Sequence, residues 1–196
     1  MAEMGNPVRL LIYGGIGSGK STVTEFLSDL GAKIIEADKL GHEVLEPSGE
    51  AFAEVSARWP QVVEGGKINR SKLGAVVFAD PDALQELESL THPHIRSRIQ
   101  AIVTESANEH LVLEMPILRA FVGDGWVKVL IDAPLAARIE RVVARDSDPE
   151  DAMARAAAQP SDAEYHEAAD WVVANTGELD DLRAAVGELW AQLQAA

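Results

Sequence analysis

Short apolar runs alternate with longer amphipathic stretches along most of the chain. Five runs have the length and the β-branched content of buried strands, at 8–13, 33–37, 111–115, 127–132 and 171–175. The stretches at 21–31, 92–110 and 179–194 instead repeat apolar residues at helical spacing. Near-continuous apolar strands joined by helices are typical of a parallel sheet covered on both faces. The pattern therefore predicts an α/β fold, with a five-stranded parallel sheet flanked by helices.

The stretch 39–92 departs from this alternation. It contains short helical pieces separated by turn sequences such as "EPSGE" and "EGGK", and it has no clear strand. We interpret it as a helical insertion between two strands of the sheet, suited to binding a second ligand. A chain of 196 residues with 47% hydrophobic composition favours one compact domain.

Composition narrows the classes of function. The formal net charge of −15 disfavours nucleic acid and anionic lipid as partners, because the long-range field repels both. The absence of cysteine excludes disulfides, thiolate metal sites and thiol nucleophiles. No apolar stretch approaches the roughly 18 residues of a membrane span, and the start of the chain lacks the features of a signal peptide. We therefore expect a cytoplasmic protein.

The segment "YGGIGSGKST" follows the first predicted strand and opens the first predicted helix. Gly14-x-x-x-x-Gly19-Lys20-Ser21 fits the pattern in which successive backbone N–H groups form a nest for phosphates. In that pattern the lysine reaches the β- and γ-phosphates of a nucleotide, and the serine hydroxyl holds Mg²⁺. The alternative is a glycine-rich turn with a surface lysine. The position between strand and helix favours the phosphate-binding loop, or P-loop.

An acidic pair, Glu36 and Asp38, closes the second predicted strand. Residues two apart in a strand share a face, so both carboxylates are expected to approach the pocket at the carboxyl edge of the sheet. One would accept a proton from a substrate hydroxyl, and the other would hold water on the metal. Asp38 has an alternative role as the cap of the next helix.

Three arginines, Arg138, Arg141 and Arg145, recur at helical spacing, with Asp146 just beyond. Arginine binds phosphate with planar paired donors, so a stripe of three predicts a helix that closes over phosphates. The alternative is a solvated helix face paired with Glu140 and other local acids.

Two absences weigh against a GTPase. The chain has no Asn-Lys-x-Asp segment after a late strand and no switch loop ending in Asp-x-x-Gly. A small-molecule kinase then becomes the favoured class among proteins with this loop.

Several segments in this order resemble the dephospho-coenzyme A kinase family. They are "YGGIGSGKSTV", "EADKLGHEVLEP", "INRSKLGAVVF", "LESLTHPHIRSRI", "LEMPIL", "RIERVVARD", "RAAAQ" and "ADWVVANTG". The resemblance implies a single P-loop kinase domain that transfers the γ-phosphoryl of ATP, with Mg²⁺, to the ribose 3′-hydroxyl of dephospho-CoA. It divides the chain into a core at about 1–38, 93–137 and 168–196, a substrate-binding lobe at 39–92 and an arginine-bearing lid at 138–167.

The resemblance also implies roles for individual residues. Lys20, Asp38 and Arg145 would be catalytic, with Asp38 as the general base and Arg145 as the lid arginine. The implied ATP-binding residues are Gly15, Gly17, Ser18, Gly19, Lys20, Ser21, Thr22, Arg141, Arg145, Asn175 and Gly177, the last two near adenine. Dephospho-CoA would be bound by Asp38, Arg70, His92 and Pro93. Ser21 would hold the metal, with Glu36 or Asp38 acting through water. His92 has an alternative role in capping or packing at a helix start.

Three positions depart from the family pattern. Glu36 stands where an aspartate is usual, Ala120 replaces a glutamate, and Tyr165 replaces a basic residue six positions after Gln159. Glu114, on the strand before Pro116, could supply acidity near the missing glutamate but is not at the same position. Two alternatives remain open at this point: another nucleoside or nucleotide kinase, and a nucleotide-binding regulator without catalysis. We expect a monomer or a weak homo-oligomer.

Overall fold

The computed structural model describes residues 7–115, 125–145 and 148–195. The strands within these ranges are β1 (Arg9–Tyr13), β2 (Lys33–Glu36), β3 (Val63–Glu64), β4 (Lys67–Ile68), β5 (Leu111–Glu114), β6 (Val127–Asp132) and β7 (Trp171–Ala174). The helices are α1 (Lys20–Asp29), α2 (Ala37–Glu43), α3 (Phe52–Arg58), α4 (Arg70–Val77), α5 (Pro81–Glu105), α6 (Leu135–Val143), α7 (Pro149–Ala157), α8 (Asp162–Glu167) and α9 (Leu179–Gln194). A single 3₁₀ turn, Pro60–Val62, follows α3.

Five strands form one parallel sheet in the order β2-β5-β1-β6-β7. The central strand β1 is fully buried from Leu10 to Tyr13, because helices cover both faces of the sheet there. Apolar residues of α1 and α9, among them Leu27 and Val186, pack on β1, β5, β6 and β7 in one buried cluster. The predicted α/β class and the five parallel strands are confirmed.

The chain divides into two compact units. The first comprises Met1–Glu36 and Ser106–Ala196 and contains the parallel sheet, and the second comprises Ala37–Glu105. The second unit is therefore longer than the lobe drawn at 39–92 and includes all of α5. Helices α6, α7 and α8, which contain most of the described part of the predicted lid, belong to the first unit.

The prediction that 39–92 lacks strands was wrong. Strands β3 and β4 pair as a short antiparallel hairpin across Gly65 and Gly66, which both have positive φ. Each strand has only two residues, which is too short for an alternating apolar pattern to be visible in the sequence.

Helix α5 also differs from the sequence prediction, which began the helix at residue 92. It runs from Pro81 to Glu105 and passes through Pro93. Proline removes one backbone donor from a helix interior and usually interrupts it. Buried Thr91, Ile95 and Ile99 lie on either side of Pro93, so side-chain packing holds the helix across the proline.

No helix in the described part of the chain is both long enough and apolar enough to cross a bilayer.

Candidate active site

The loop between β1 and α1 has the backbone of an anion-binding nest. Gly17 and Gly19 adopt φ of 74° and 100°, which side-chain-bearing residues rarely adopt. A Cβ at Gly17 would overlap the carbonyl oxygen of Arg138, and one at Gly19 would overlap the side-chain nitrogen of Asn175. Helix α1 begins at Lys20, so its N-terminal N–H groups add to the positive potential of the loop. The loop is therefore shaped for a phosphate group.

The side chain of Lys20 lies across this loop. Its Nζ donates to the carbonyl oxygens of Gly14 at 2.9 Å and Gly15 at 3.3 Å. These contacts hold the ammonium group beside the N–H groups that line the nest, which concentrates positive charge where a nucleotide's terminal phosphates would bind.

Glu114 is the acidic residue that the structure brings to the loop. It ends β5, and its Oε1 accepts a hydrogen bond from the hydroxyl of Ser21 at 3.2 Å. Its Oε2 lies 3.1 Å from the hydroxyl oxygen of Thr24, whose side chain is buried. From the sequence, Glu114 was expected only to supply acidity near the missing glutamate at 120. A stronger indication of a role at the loop was available in the sequence, because Glu114 is a lone acid at the end of an apolar strand. That strand, β5, pairs with β1, from which the loop emerges.

Glu36 lies beside Glu114 at the same edge of the sheet. The two residues end neighbouring strands and are paired in the β2–β5 register. Parallel strands bring their carboxyl ends to one edge, and the loop emerges at that edge from β1. Ser21, Glu114 and Glu36 thus provide a hydroxyl and two carboxylates, the hard oxygen ligands that Mg²⁺ prefers. Within the described ranges, no group of three or more His, Cys, Asp or Glu residues forms an all-protein metal site.

The prediction that Glu36 and Asp38 share one face of a strand was wrong. Strand β2 ends at Glu36 and α2 starts at Ala37, so Asp38 lies in the first turn of a helix, where it is exposed. Asp38 belongs to the second compact unit, as do the other residues predicted to bind dephospho-CoA: Arg70, His92 and Pro93.

Those three residues lie on two helices of the second unit. Arg70 is the first residue of α4 and is exposed, and the side chain of Asn69 caps this helix by accepting from the Lys72 N–H at 3.1 Å. His92 and Pro93 lie inside α5. The alternative role of His92 as a cap at a helix start was therefore wrong.

The three arginines do not form one stripe. Helix α6 ends at Val143, so Arg145 lies in the turn that follows and is exposed. Arg138 is buried, and its Nη2 lies 2.7 Å from Oδ1 of Asp162. A solvated helix face was therefore the wrong interpretation for Arg138. Spacing in the sequence could not distinguish these environments, because the partner of Arg138 lies 24 residues further along the chain.

Arg141 and Asn175 together brace the loop. Arg141 donates to the carbonyl oxygen of Asn175 at 3.1 Å and to that of Gly17 at 3.4 Å. Asn175 is buried and donates from its side chain to the carbonyl oxygen of Ser18 at 2.7 Å. Gly177 precedes α9 and lies against the carboxylate of Asp181. The expected proximity of Asn175 and Gly177 to adenine stays a prediction.

Gln159 is a loop contact that sequence analysis missed. Its Oε1 accepts a hydrogen bond from the backbone N–H of Ile16 at 2.7 Å, across 143 residues of chain. A glutamine between two helices has no local signal for such a role, so only the tertiary fold reveals it.

Two tyrosines lie beneath the loop, and they are the only two in the chain. Tyr13 ends β1, and its hydroxyl donates to the carbonyl oxygen of Tyr165 at 3.0 Å. Burial, with the charge of Asp170 and the neighbouring Tyr165, raises the pKa of Tyr13 to about 12. Burial also raises the pKa of Tyr165, against the opposing effect of the Arg138 charge.

Some predicted features lie outside the described residues. They are Asp146 and the stretch 116–120, which contains the departure at Ala120.

Comparison with known proteins identifies the family. The family model for dephospho-CoA kinase matches residues 9–181 and so covers the loop, both acidic strand ends and the arginine segment. The chain belongs to the dephospho-CoA kinase family. A relative named dephospho-CoA kinase from Corynebacterium jeikeium is 39% identical, over 93% of this chain and 97% of its own.

Solved structures agree with this assignment. A protein from Thermus thermophilus has 34% identity and a TM-score of 0.85, covering 96% of this chain and 98% of its own. A dephospho-CoA kinase from Campylobacter jejuni has 27% identity and a TM-score of 0.72, covering 95% and 97%. The predicted kinase class and P-loop fold are confirmed.

Proposed function

We propose that the chain transfers the γ-phosphoryl group of ATP to the ribose 3′-hydroxyl of dephospho-CoA, giving coenzyme A and ADP. The observation that carries this proposal is the loop between β1 and α1, with its open nest and the Lys20 ammonium held across it, in a chain that belongs to this family. The residues have separate tasks in binding phosphate, metal and acceptor.

The phosphate chain of ATP is bound by the loop. Backbone N–H groups from Gly17 to Thr22 donate to its oxygens, and Lys20 neutralises charge on the transferred group. Arg145, exposed just after α6, meets the charge that develops on the equatorial oxygens during transfer. Arg141 braces the loop through Gly17 and Asn175 and adds a second positive charge nearby.

The fit of Mg²⁺ rests on Ser21, Glu114 and Glu36. The Ser21 hydroxyl would coordinate the ion directly, and the two carboxylates would hold its water ligands, since Mg²⁺ keeps several waters when it binds with substrate phosphates. When bound, the ion screens the charge of the phosphates and orients them for transfer.

The acceptor is bound by the second compact unit. Asp38, in the first turn of α2, accepts the proton of the 3′-hydroxyl. The hydroxyl oxygen bonds to the γ-phosphorus of ATP, and the bond from that phosphorus to the oxygen that leaves with ADP breaks. Arg70, His92 and Pro93 bind the rest of dephospho-CoA. Phosphoryl transfer has a loose transition state, so positioning and charge stabilisation outweigh proton removal.

We further infer a cytoplasmic monomer or weak homo-oligomer whose partners are small molecules. The net charge of −15 supports this inference, because it opposes binding to nucleic acid and to anionic membranes.

The test is an ADP-release assay with a panel of acceptors. Purified protein is supplied with ATP and Mg²⁺ and either dephospho-CoA, adenosine or AMP, and Lys20→Ala serves as the inactive control. We expect ADP release only with dephospho-CoA, and a product that phosphorus NMR identifies as the 3′-phosphate. Phosphorylation of a nucleoside but not of dephospho-CoA would overturn the assignment of dephospho-CoA as the acceptor. ATP binding without turnover of any acceptor would indicate a nucleotide-binding regulator.

A further inference from the structure

We propose that Arg138 is a positioning residue for the phosphate-binding loop. Its guanidinium group lies against Gly15, in the part of the loop at residues 15–17 that we call the outer turn. Asp162 holds the guanidinium in place. The kinetic consequences rest on the proposed function, whereas the effect on ATP binding does not.

The contact with Gly15 is unusually close. A Cβ at Gly15 would overlap Nη1 of Arg138, and its next nearest atoms would be Cζ at 2.9 Å and Cδ at 3.4 Å of the same side chain. The φ of Gly15 is not positive, so this angle does not itself disfavour an alanine there. A side chain at position 15 would therefore require the Arg138 guanidinium to move.

The main chain of Arg138 supports the same turn. Its carbonyl oxygen lies where a Cβ of Gly17 would be, so Arg138 contacts the loop at two positions. Between them, the N–H of Ile16 donates to Gln159. Residues 15–17 are each held by the segment that runs from α6 to α8, which also carries Arg145. Arg138 thus links the outer turn of the loop to the segment with the proposed lid arginine.

The ion pair with Asp162 fixes the guanidinium group. The side chain of Arg138 is only 7% exposed, whereas that of Asp162 is 61% exposed. A buried cation requires a partner, and the Nη2–Oδ1 contact of 2.7 Å provides it. The Nε atom of Arg138 is buried without a hydrogen-bond partner among the described residues. Asp162 therefore joins α8 to the guanidinium that supports the loop.

Arg138 could act by positioning the loop or by supplying positive charge, and the two roles predict different effects of substitutions on ATP binding. If Arg138 acted only as a positive charge near the phosphates, neutralising Asp162 would raise the local potential and strengthen ATP binding. If Arg138 acts by position, the same change releases the guanidinium and weakens ATP binding. The contact with Gly15 gives a second way to distinguish the two roles. A side chain introduced at position 15 would overlap Arg138, and this overlap disappears when Arg138 is shortened to alanine.

The first experiment is a double-mutant cycle of Gly15→Ala and Arg138→Ala, with ATP affinity measured by calorimetry. We expect Gly15→Ala to weaken ATP binding roughly 5- to 100-fold in the natural background, since it overpacks the contact. In the Arg138→Ala background we expect its cost to fall by at least about 5-fold, because contacting residues are coupled. An equal cost in both backgrounds would overturn the proposal. Thermal melts confirm folding, and Arg138→Gln replaces Arg138→Ala if that variant is unfolded.

The second experiment measures Asp162→Asn, with Asp151→Asn as the matched control. Asp151 lies in the same segment, and its pair with Arg155 at 3.7 Å is exposed. We expect Asp162→Asn to weaken ATP binding and to raise the KM for ATP while the KM for dephospho-CoA is unchanged. The control should match the natural protein. Tighter ATP binding by Asp162→Asn would overturn positioning in favour of charge. If the natural protein did not turn over dephospho-CoA, the calorimetry would still decide the role of Arg138.

Discussion

Glu114 accepts a hydrogen bond from the hydroxyl of Ser21 at 3.2 Å, so the end of β5 is tied to the first turn of α1. This contact places a carboxylate beside the hydroxyl that would coordinate Mg²⁺. It gives Glu114 a role that its position in the sequence left open.

Replacing this carboxylate should impair metal-dependent turnover. We expect Glu114→Gln to lower kcat/KM by roughly 10- to 100-fold, a typical cost for losing a carboxylate that orients a metal or its waters. The deficit should shrink as Mg²⁺ is raised in steady-state assays. The control is Glu109→Gln, since Glu109 is exposed and pairs with Lys33 at 3.7 Å. A deficit that does not depend on Mg²⁺ would contradict the metal role.

The proposed catalytic residues should differ in their contributions. We expect Lys20→Ala and Arg145→Ala to reduce turnover at least as much as Asp38→Asn. The reason is that a general base contributes about 10²- to 10⁴-fold, whereas an arginine that meets developing charge contributes about 10³- to 10⁵-fold. Steady-state rates of the three folded variants check the order. Activity near the natural level in Lys20→Ala would refute the scheme.

Alkaline pH should destabilise the protein through Tyr13. Its folded pKa of about 12 exceeds the ordinary value of 10.0 because burial disfavours the phenolate. The unfolded chain therefore loses this proton first, and the free energy of unfolding should fall as pH rises from 10 towards 12. Denaturant titrations at several pH values measure the slope.

The matched variant for this prediction is Tyr13→Phe, which should flatten the slope. Because the chain has only two tyrosines, the phenolate absorbance of Tyr165→Phe reports Tyr13 alone. An ionisation midpoint near the ordinary value in the folded protein would contradict the prediction.

Replacing Arg98 should weaken the use of the acceptor, dephospho-CoA, and leave ATP binding unchanged. Its guanidinium group contacts Glu43, the last residue of α2, at 2.8 Å and Glu50 at 2.8 Å. Asp38 lies at the other end of the same helix. We expect Arg98→Ala to lower the free energy of unfolding by about 1–2 kcal/mol and to raise the KM for dephospho-CoA. Calorimetry should give an unchanged affinity for ATP, because ATP is assigned to the first unit.

The control for Arg98 is Arg58→Ala. Arg58 forms an exposed pair with Glu86, which lies on α5 and not on α2. Its KM for dephospho-CoA should stay at the natural value. A loss of ATP affinity in Arg98→Ala as large as the change in KM would contradict a role confined to the acceptor.

The sheet was predictable because its strands appear as apolar runs, and the central strands β1 and β5 do so because they are buried on both faces. The loop was predictable because its chemistry requires glycines at fixed spacing before Lys20. The start of α2 at Ala37 was not, since a strand followed by a helix has no distinct signal in "IIEADKL". The hairpin at Gly65 and Gly66 escaped prediction because its strands have two residues each.

The supports of the loop were the least predictable part of the site. Arg138 and Arg141 have similar local sequence, yet one is buried against Gly15 and the other bridges Gly17 and Asn175. These environments depend on residues far along the chain. Periodicity therefore predicted a common helix face for Arg138 and Arg141, but not the different residues that each of them contacts.

Arg138 occupies the space that a side chain at position 15 would need, and this has a consequence for how the sequence can diverge. A lineage that first acquires a small residue at 138 frees position 15 to accept a side chain afterwards. The reverse order passes through an intermediate in which two side chains compete for one volume. Mutational routes between these states are therefore directional, and ancestral reconstructions should show position 138 changing before position 15.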